Sequence, residues 1–220
     1  MKATAILPVK RFARAKTRLL DTIGPPGRAA LLKAMLADVV DAIDAAEGIE
    51  RLIVVTGETR AEKLVLRAAQ RIRTPVEVLQ DPRDPGHSEA ATLGIMRAKA
   101  LGAETVALLP GDCPLLVAAE LDGALARMER GRVAVIPDRH GTGTNGLLMA
   151  PADAIGPAFG TDSCERHLDR ATRAGWQAAR EELPSLALDL DTPDDLAALR
   201  ARLERDPEAA PATGRALAEL

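Results

Sequence analysis

The stretch TVALLPGDCPLL, residues 105–116, decides the fold class. TVALLP is apolar after its threonine and shows no polar alternation, as expected of a strand buried on both faces of a parallel sheet. Pro110-Gly111 breaks the run, and Asp112 follows at once. An acid at the end of a buried strand carries a desolvation cost unless it is partnered. A divalent cation is a natural partner, held by one or two carboxylates and by substrate phosphates. A turn-forming aspartate is the competing reading.

Similar strands are predicted at 3–8, 51–56 (RLIVVT), 76–79, 133–137, 147–150 and 186–191 (LALDLD). Helical periodicity fills most of the intervals. It covers 26–47, with Leu31, Leu32, Met35, Leu36, Val39, Val40 and Ile43 on one face, and 58–73, with Leu64, Leu66 and Ile72 as apolar points. It also covers 89–101 behind a Ser88 cap, 116–130, and 164–174 behind a Ser163 cap. A last helix opens at Thr192-Pro193. The expectation is a single-domain α/β fold over 1–204: three α/β/α layers around a Rossmann-like, mostly parallel sheet. The Ala/Pro/Glu-rich residues 205–220 are expected to form a flexible, frayed tail.

Composition narrows the function. The 220 residues carry 47% hydrophobic and 28% charged side chains, with a net charge of −3. No global basic field would hold a nucleic acid. Phe12, Phe159 and Trp176 are too few to form a stacking platform. Cys113 and Cys164 lack metal or redox spacing, no signal peptide is visible, and no run of about 18 apolar residues would span a membrane. A cytoplasmic protein is expected.

Ligands in such folds bind beyond the carboxyl ends of the strands. Four stretches meet that condition. PVKRFARAKTRLL, after the first strand, places Lys10, Arg11, Arg14, Lys16 and Arg18 within nine residues. They could cradle a polyphosphate, or form a solvated basic loop. Asp112 is the second candidate. The third is LDLDTPDDL (188–196), where Asp189 and Asp191 would share one strand face and Asp191 could join Asp112 around magnesium. Asp194 and Asp195 suit the start of the helix that follows. The fourth pairs DRHGTGTNG (138–146) with FGTDS (159–163). There Thr142, Thr144 and Asn145 offer polar groups, and the helix start at Ser163 offers backbone N–H groups to an anion. A loop with a routine cap is the alternative. His87 and His140 have no acid or nucleophile partner in sequence and read most simply as surface residues.

Together, PVK…AKTRL, GHSEA, PGDCPLL, DRHGTGTN and FGxxS resemble the MobA-like nucleotidyltransferases of GT-A type. More closely, the chain to about residue 204 resembles the 2-phospho-L-lactate/phosphoenolpyruvate guanylyltransferases of coenzyme F-420 biosynthesis. The wider superfamily carries GGxGxR in its first loop, where Pro8-Val9-Lys10 stands here. The resemblance implies that the phosphate of a phosphorylated three-carbon acid attacks the α-phosphate of GTP and pyrophosphate leaves. It implies that Lys10 and Lys16 stabilise the triphosphate and that Asp112 and Asp191 hold Mg²⁺, with Asp189 as a weaker ligand. Pro8, Gly86, His87, Ser88 and Glu89 would join the lysines around the nucleotide, and Thr144, Gly160 and Ser163 would receive the acid. A 3-phosphoglycerate acceptor, another nucleotidyltransferase or glycosyltransferase activity, a silent nucleotide-binding protein and a homodimer all stay open.

Overall fold

Ala5 and Leu7 point to one face of a central sheet and Ile6 to the other, and both faces are buried. The computed structural model in which this is seen describes residues 1–12, 23–81, 83 and 86–220. Strands and helices follow in the order β1 (Ala3–Val9), α1 (Pro25–Ala45), β2 (Ile49–Thr56), α2 (Thr59–Ala68), β3 (Val76–Gln80), α3 (His87–Ala100), β4 (Val106–Leu108), α4 (Ala118–Ala126), β5 (Arg132–Pro137), β6 (Thr144–Ala150), α5 (Ser163–Arg173), β7 (Gln177–Arg180), α6 (Pro193–Arg205) and α7 (Pro211–Ala218).

The seven strands lie in the order β3-β2-β1-β4-β6-β5-β7. All pairings are parallel except the two made by β6. α1, α2, α4, α6 and α7 contribute to the core on one face, and α3 and α5 to the core on the other. The expected three-layer α/β architecture is therefore present. From β1 the chain winds to β2 and β3 on one side, then crosses to β4 on the other. The carboxyl ends of β1 and β4 flank a topological switch point, where a crevice opens. Because β6 runs backwards, its first residue, Thr144, lies at that same edge.

Several local expectations are corrected. LALDLD is not a strand: a single 3₁₀ turn covers Pro184–Leu186, and irregular backbone follows. Leu186 and Leu190 are buried as the pattern suggested. The carbonyls of Leu186 and Ala187 accept from the Asn145 side chain, and that of Ala187 also from Arg139 N–H, so they serve no ladder. The true edge strand β7 (QAAR) lacks the β-branched residues that would have signalled it. α2 stops at Ala68 and buries Ala61, Val65 and Ala68, leaving Leu66 exposed. Beyond it, the N–H groups of Arg73 and Thr74 are held by the Asp44 carboxylate.

α3 begins at His87 behind Gly86, so Ser88 lies in its first turn and does not cap it. Ser163 likewise lies inside α5, with Asp162 at the cap position. The chain end expected to fray is folded instead. α7 packs against α1, burying Ala210, Thr213 and Leu217. Asp38 of α1 accepts the N–H groups of Ala212 and Thr213 at 3.0 and 2.8 Å, satisfying amides that a helix start leaves open. Burial pushes this carboxyl group above the usual aspartate range.

Candidate active site at the carboxyl edge of the sheet

A cleft at the β1/β4 switch point is lined by Pro8, Val9, Lys10, Phe12, Leu32, Leu36, His87, Gly111, Asp112 and Asp191. Five residues singled out in the sequence, Pro8, Lys10, His87, Asp112 and Asp191, thus meet in one place. They come from the end of β1, the start of α3, the turn after β4 and the segment before α6. Phe12, Leu32 and Leu36 give the cleft an apolar wall, all three being buried. Lys10 and Asp191 are exposed, and Asp112 is half-buried. A cation and two carboxylates therefore share one partly desolvated crevice.

The segment carrying Lys10 is anchored on both sides. Thr56 Oγ1 donates to the Val9 carbonyl at 2.8 Å. Glu58 Oε2 accepts from Phe12 N–H at 3.0 Å, while its Oε1 accepts from Arg60 N–H at the start of α2. Lys10 lies between these two pins. Lys16, with Arg14 and Arg18, falls outside the described residues.

Asp191 is anchored as well. Asp195 Oδ2 accepts from the N–H groups of Asp191 and Thr192 at 3.0 and 2.7 Å, and the Thr192 hydroxyl accepts from Asp195 N–H at 3.3 Å, completing a capping box. Asp195 Oδ1 pairs with Arg139 at 2.6 Å, tying this helix start to the loop after β5. Asp195 thus has a larger part than the dipole partnership its position suggested. Asp189 does not line the cleft; its Oδ1 lies 3.4 Å from Asn145 Nδ2. The Asn145 side-chain amide donates to the carbonyls of Leu186 and Ala187.

A second cluster adjoins the cleft through His87, whose ring meets that of Phe159 edge-on at 4.6 Å. Ser88 Oγ accepts from Phe159 N–H at 3.0 Å. Gly86 has φ +155°, and a Cβ there would come within 2.5 Å of the Glu89 carboxylate. Of the four residues 86–89, only His87 lines the cleft. Beyond Phe159, Gly160 has φ +118° and faces open space.

Ser163 is 1% exposed. Two α5 amides expected to await an anion are already used: Ser163 N–H donates to Gly160 O and Cys164 N–H to Thr142 O. The anion reading of this helix start is weakened accordingly. His140 is exposed, as the sequence suggested.

The third histidine was missed. His167 is completely buried, one turn beyond Ser163 on α5. Its Nε2 accepts from Ala158 N–H at 2.8 Å, and its Nδ1 lies 3.0 Å from Thr144 Oγ1. Burial, reinforced by the charges of Arg170 and Arg166, lowers its pKa from 6.5 to about 4. Those arginines also bind the loop below: Arg170 donates to Gly156 O, and Arg166 to the carbonyls of Ala158 and Thr161. The spacing of SCERH, which puts His167 on the Ser163 face, is the signal that could have found it.

Comparison with known proteins gives the family and supports the fold. The family model described as Guanylyl transferase CofC like matches residues 3–202. A phosphoenolpyruvate guanylyltransferase of Conexibacter woesei is 43% identical over 204 residues, covering 91% of this chain and 88% of the relative. One from Sphaerobacter thermophilus is 35% identical, covering 89% and 91%. A 3-phospho-D-glycerate guanylyltransferase of Phenylobacterium zucineum is 38% identical, covering 88% and 87%. Among solved structures, a nucleotidyl transferase from Methanothermobacter aligns with TM-score 0.66 at 17% identity, covering 93% and 98%. The 4-diphosphocytidyl-2C-methyl-D-erythritol synthase of Anaerococcus prevotii aligns with TM-score 0.63 at 11% identity, covering 93% and 96%. At such identities these two speak to the fold alone.

Proposed function

The chain belongs to the CofC-like guanylyl transferases, and on that premise we propose that it transfers GMP from GTP to phosphoenolpyruvate, releasing pyrophosphate and forming enolpyruvyl-diphosphoguanosine for coenzyme F-420 biosynthesis. The observation that carries the reading is the meeting of Lys10, His87, Asp112 and Asp191 in one cleft at the switch point. Phosphoenolpyruvate is favoured by the names of the relatives at 43% and 35% identity. The relative named for 3-phospho-D-glycerate supports the second reading, the same transfer to that acid. 2-Phospho-L-lactate is a third candidate of the same chemistry.

The donor set suits Mg²⁺. Asp112 and Asp191 offer hard carboxylate oxygens, and no cysteine is among the described lining residues. Among the described residues no three acids, histidines or cysteines gather closely enough to hold an ion unaided. The remaining positions would fall to water and triphosphate oxygens, as magnesium prefers. Bound there, the ion supplies charge neutralisation at the triphosphate.

Lys10 then meets the triphosphate tail and steadies the negative charge that builds on the departing pyrophosphate. An oxygen of the acid's phosphate forms the new P–O bond at the α-phosphorus, and the bond to the β-phosphate oxygen breaks. That phosphate is already largely ionised near neutral pH, so no general base is needed. The demand on the protein is positioning and charge. Two unit charges about 4 Å apart repel by about 4 kcal/mol at an effective dielectric near 20, so anion must be matched with cation before attack.

The test is a mass-spectrometric product assay with GTP, Mg²⁺ and each of the three acids in turn. The expected result is a guanylylated product with phosphoenolpyruvate at the highest kcat/KM. Absence of product with all three acids would refute the reading.

A further inference from the structure

His167 is not among the described residues that line the cleft, yet it touches both parts of the neighbouring cluster: Thr144 at the start of β6 and Ala158 in the loop before α5. A backbone N–H can only donate, so the nitrogen facing Ala158 must be the bare one. Burial and two nearby guanidinium groups keep the ring neutral. The ring hydrogen therefore sits on Nδ1, the tautomer that the other nitrogen's hydrogen bond dictates. That N–H donates to Thr144 Oγ1, and the hydroxyl hydrogen of Thr144 cannot point back at the ring. Thr144 is half-exposed at the carboxyl edge of the sheet, close in sequence to the loop that docks on α5.

We propose that His167 is a positioning residue for the acceptor acid, fixing the Thr144 hydroxyl as a hydrogen-bond donor toward a carboxylate or phosphate oxygen of that acid. This rests on the acceptor reading of Thr144 given above. A donor fixed in advance suits an acceptor-only anion and loses nothing to reorientation on binding. A neutral hydroxyl or amine ligand, which could present a hydrogen of its own, would gain less.

Two substitutions separate the two ring nitrogens. His167→Asn can keep an N–H near the Nδ1 position, and His167→Gln can keep an acceptor near the Nε2 position. The kinetics are measured with GTP and the best acceptor of the product assay, with circular dichroism to verify folding. His167→Gln is expected to raise the KM for the acid about tenfold, the effect of losing one charge-assisted bond, with the KM for GTP changed less than about twofold. His167→Asn should stay near the wild-type KM for the acid. Combining His167→Gln with Thr144→Val should cost no more than Thr144→Val alone, because the first acts through the second.

Nitrogen-15 NMR of the imidazole supplies a readout that needs no turnover, and should show the hydrogen on Nδ1. A hydrogen on Nε2, additive double-mutant effects, equal loss for GTP and acid, or rescue by Gln rather than Asn would each overturn the proposal. Turnover without a KM split refutes the positioning role alone. No turnover by the wild type with any acid brings down the functional reading, and this proposal with it.

Discussion

Lowering the pH should destabilise this protein through His167 in a way that can be isolated. The ring is completely buried. Burial, then Arg170 and Arg166, take its pKa from 6.5 to about 4. Between those values the unfolded chain binds a proton that the folded chain refuses. Stability is therefore highest above about pH 6.5 and falls as pH drops toward 4, by about 1.4 kcal/mol per pH unit for one proton. Over about 2.5 units this amounts to about 3 kcal/mol, a large share of a typical domain's 5–15 kcal/mol. Other acids add their own pH dependence, among them Asp38, raised by burial, and Glu181, where burial is outweighed by the hydrogen bonds and charges of Arg127 and Arg132 and the carboxyl is lowered. They stand on other elements and cancel in a difference. The assay is urea unfolding of wild type and His167→Gln at half-unit steps from pH 7.5 to 4. The wild type should be the more stable at pH 7.5, and its advantage should shrink by about 3 kcal/mol toward pH 4. Parallel stability curves would mean that the folded ring titrates normally. That would contradict a bare Nε2 facing the Ala158 amide.

Asp112→Asn should lower kcat by about 10²- to 10³-fold while leaving the thermal unfolding midpoint nearly unchanged; wild-type-like turnover in magnesium would remove Asp112 from the mechanism. Asp195→Ala should cost about 1–2 kcal/mol in denaturant unfolding through loss of the capping box, and should raise the Mg²⁺ concentration needed for half-maximal rate, because Asp191 loses its backbone anchor; an unchanged magnesium dependence would show that the anchor does not matter. Deleting residues 206–220 should destabilise the domain by about 2–4 kcal/mol, since Leu217 and Ala210 leave the core and the Asp38 carboxylate loses two amide donors. Turnover per folded molecule at low temperature should survive that deletion, which thermal unfolding and initial rates on one preparation would verify.

What could be read from the sequence and what could not divide along a physical line. β1, β2 and β4 were legible because a strand buried on both faces leaves a run of apolar side chains whatever its partners. Asp112 and Lys10 were legible for the same reason: each stands just past such a run, where polarity must have a purpose. LALDLD misled because Leu186 and Leu190 are buried as a strand's leucines would be, and Leu188 packs partly against the core. What keeps it out of the sheet is Asn145, about forty residues earlier in the chain, holding its carbonyls. Thr144 was placed in a loop because the glycines around it mimic a turn, whereas the reversed β6 extends to the edge and carries it there. For His167 the SCERH spacing gives its helix face but not its role. Its two partners are 23 and 9 residues away on other elements, and no pattern within α5 announces them.

The same contrast bears on how the site works. The charged residues that face the cleft, Lys10, Asp112 and Asp191, are exposed or half-buried. Behind two of them stands a less exposed polar group that fixes the local backbone, Thr56 and Glu58 behind Lys10 and Asp195 behind Asp191. Phosphoryl-type transfer gains most from charges already in place, because reorganising them during attack would raise the barrier. On the functional reading proposed above, a backbone held in place behind Lys10 and Asp191 would let one crevice receive a triphosphate and release the departing pyrophosphate without rebuilding the site. It follows that substitutions at the buried anchors should act on KM and magnesium dependence first, and that substitutions at the exposed tips should act on kcat. An anchor variant such as Glu58→Gln that lowered kcat tenfold at saturating GTP and magnesium, with both affinities unchanged, would show that this division of labour is wrong.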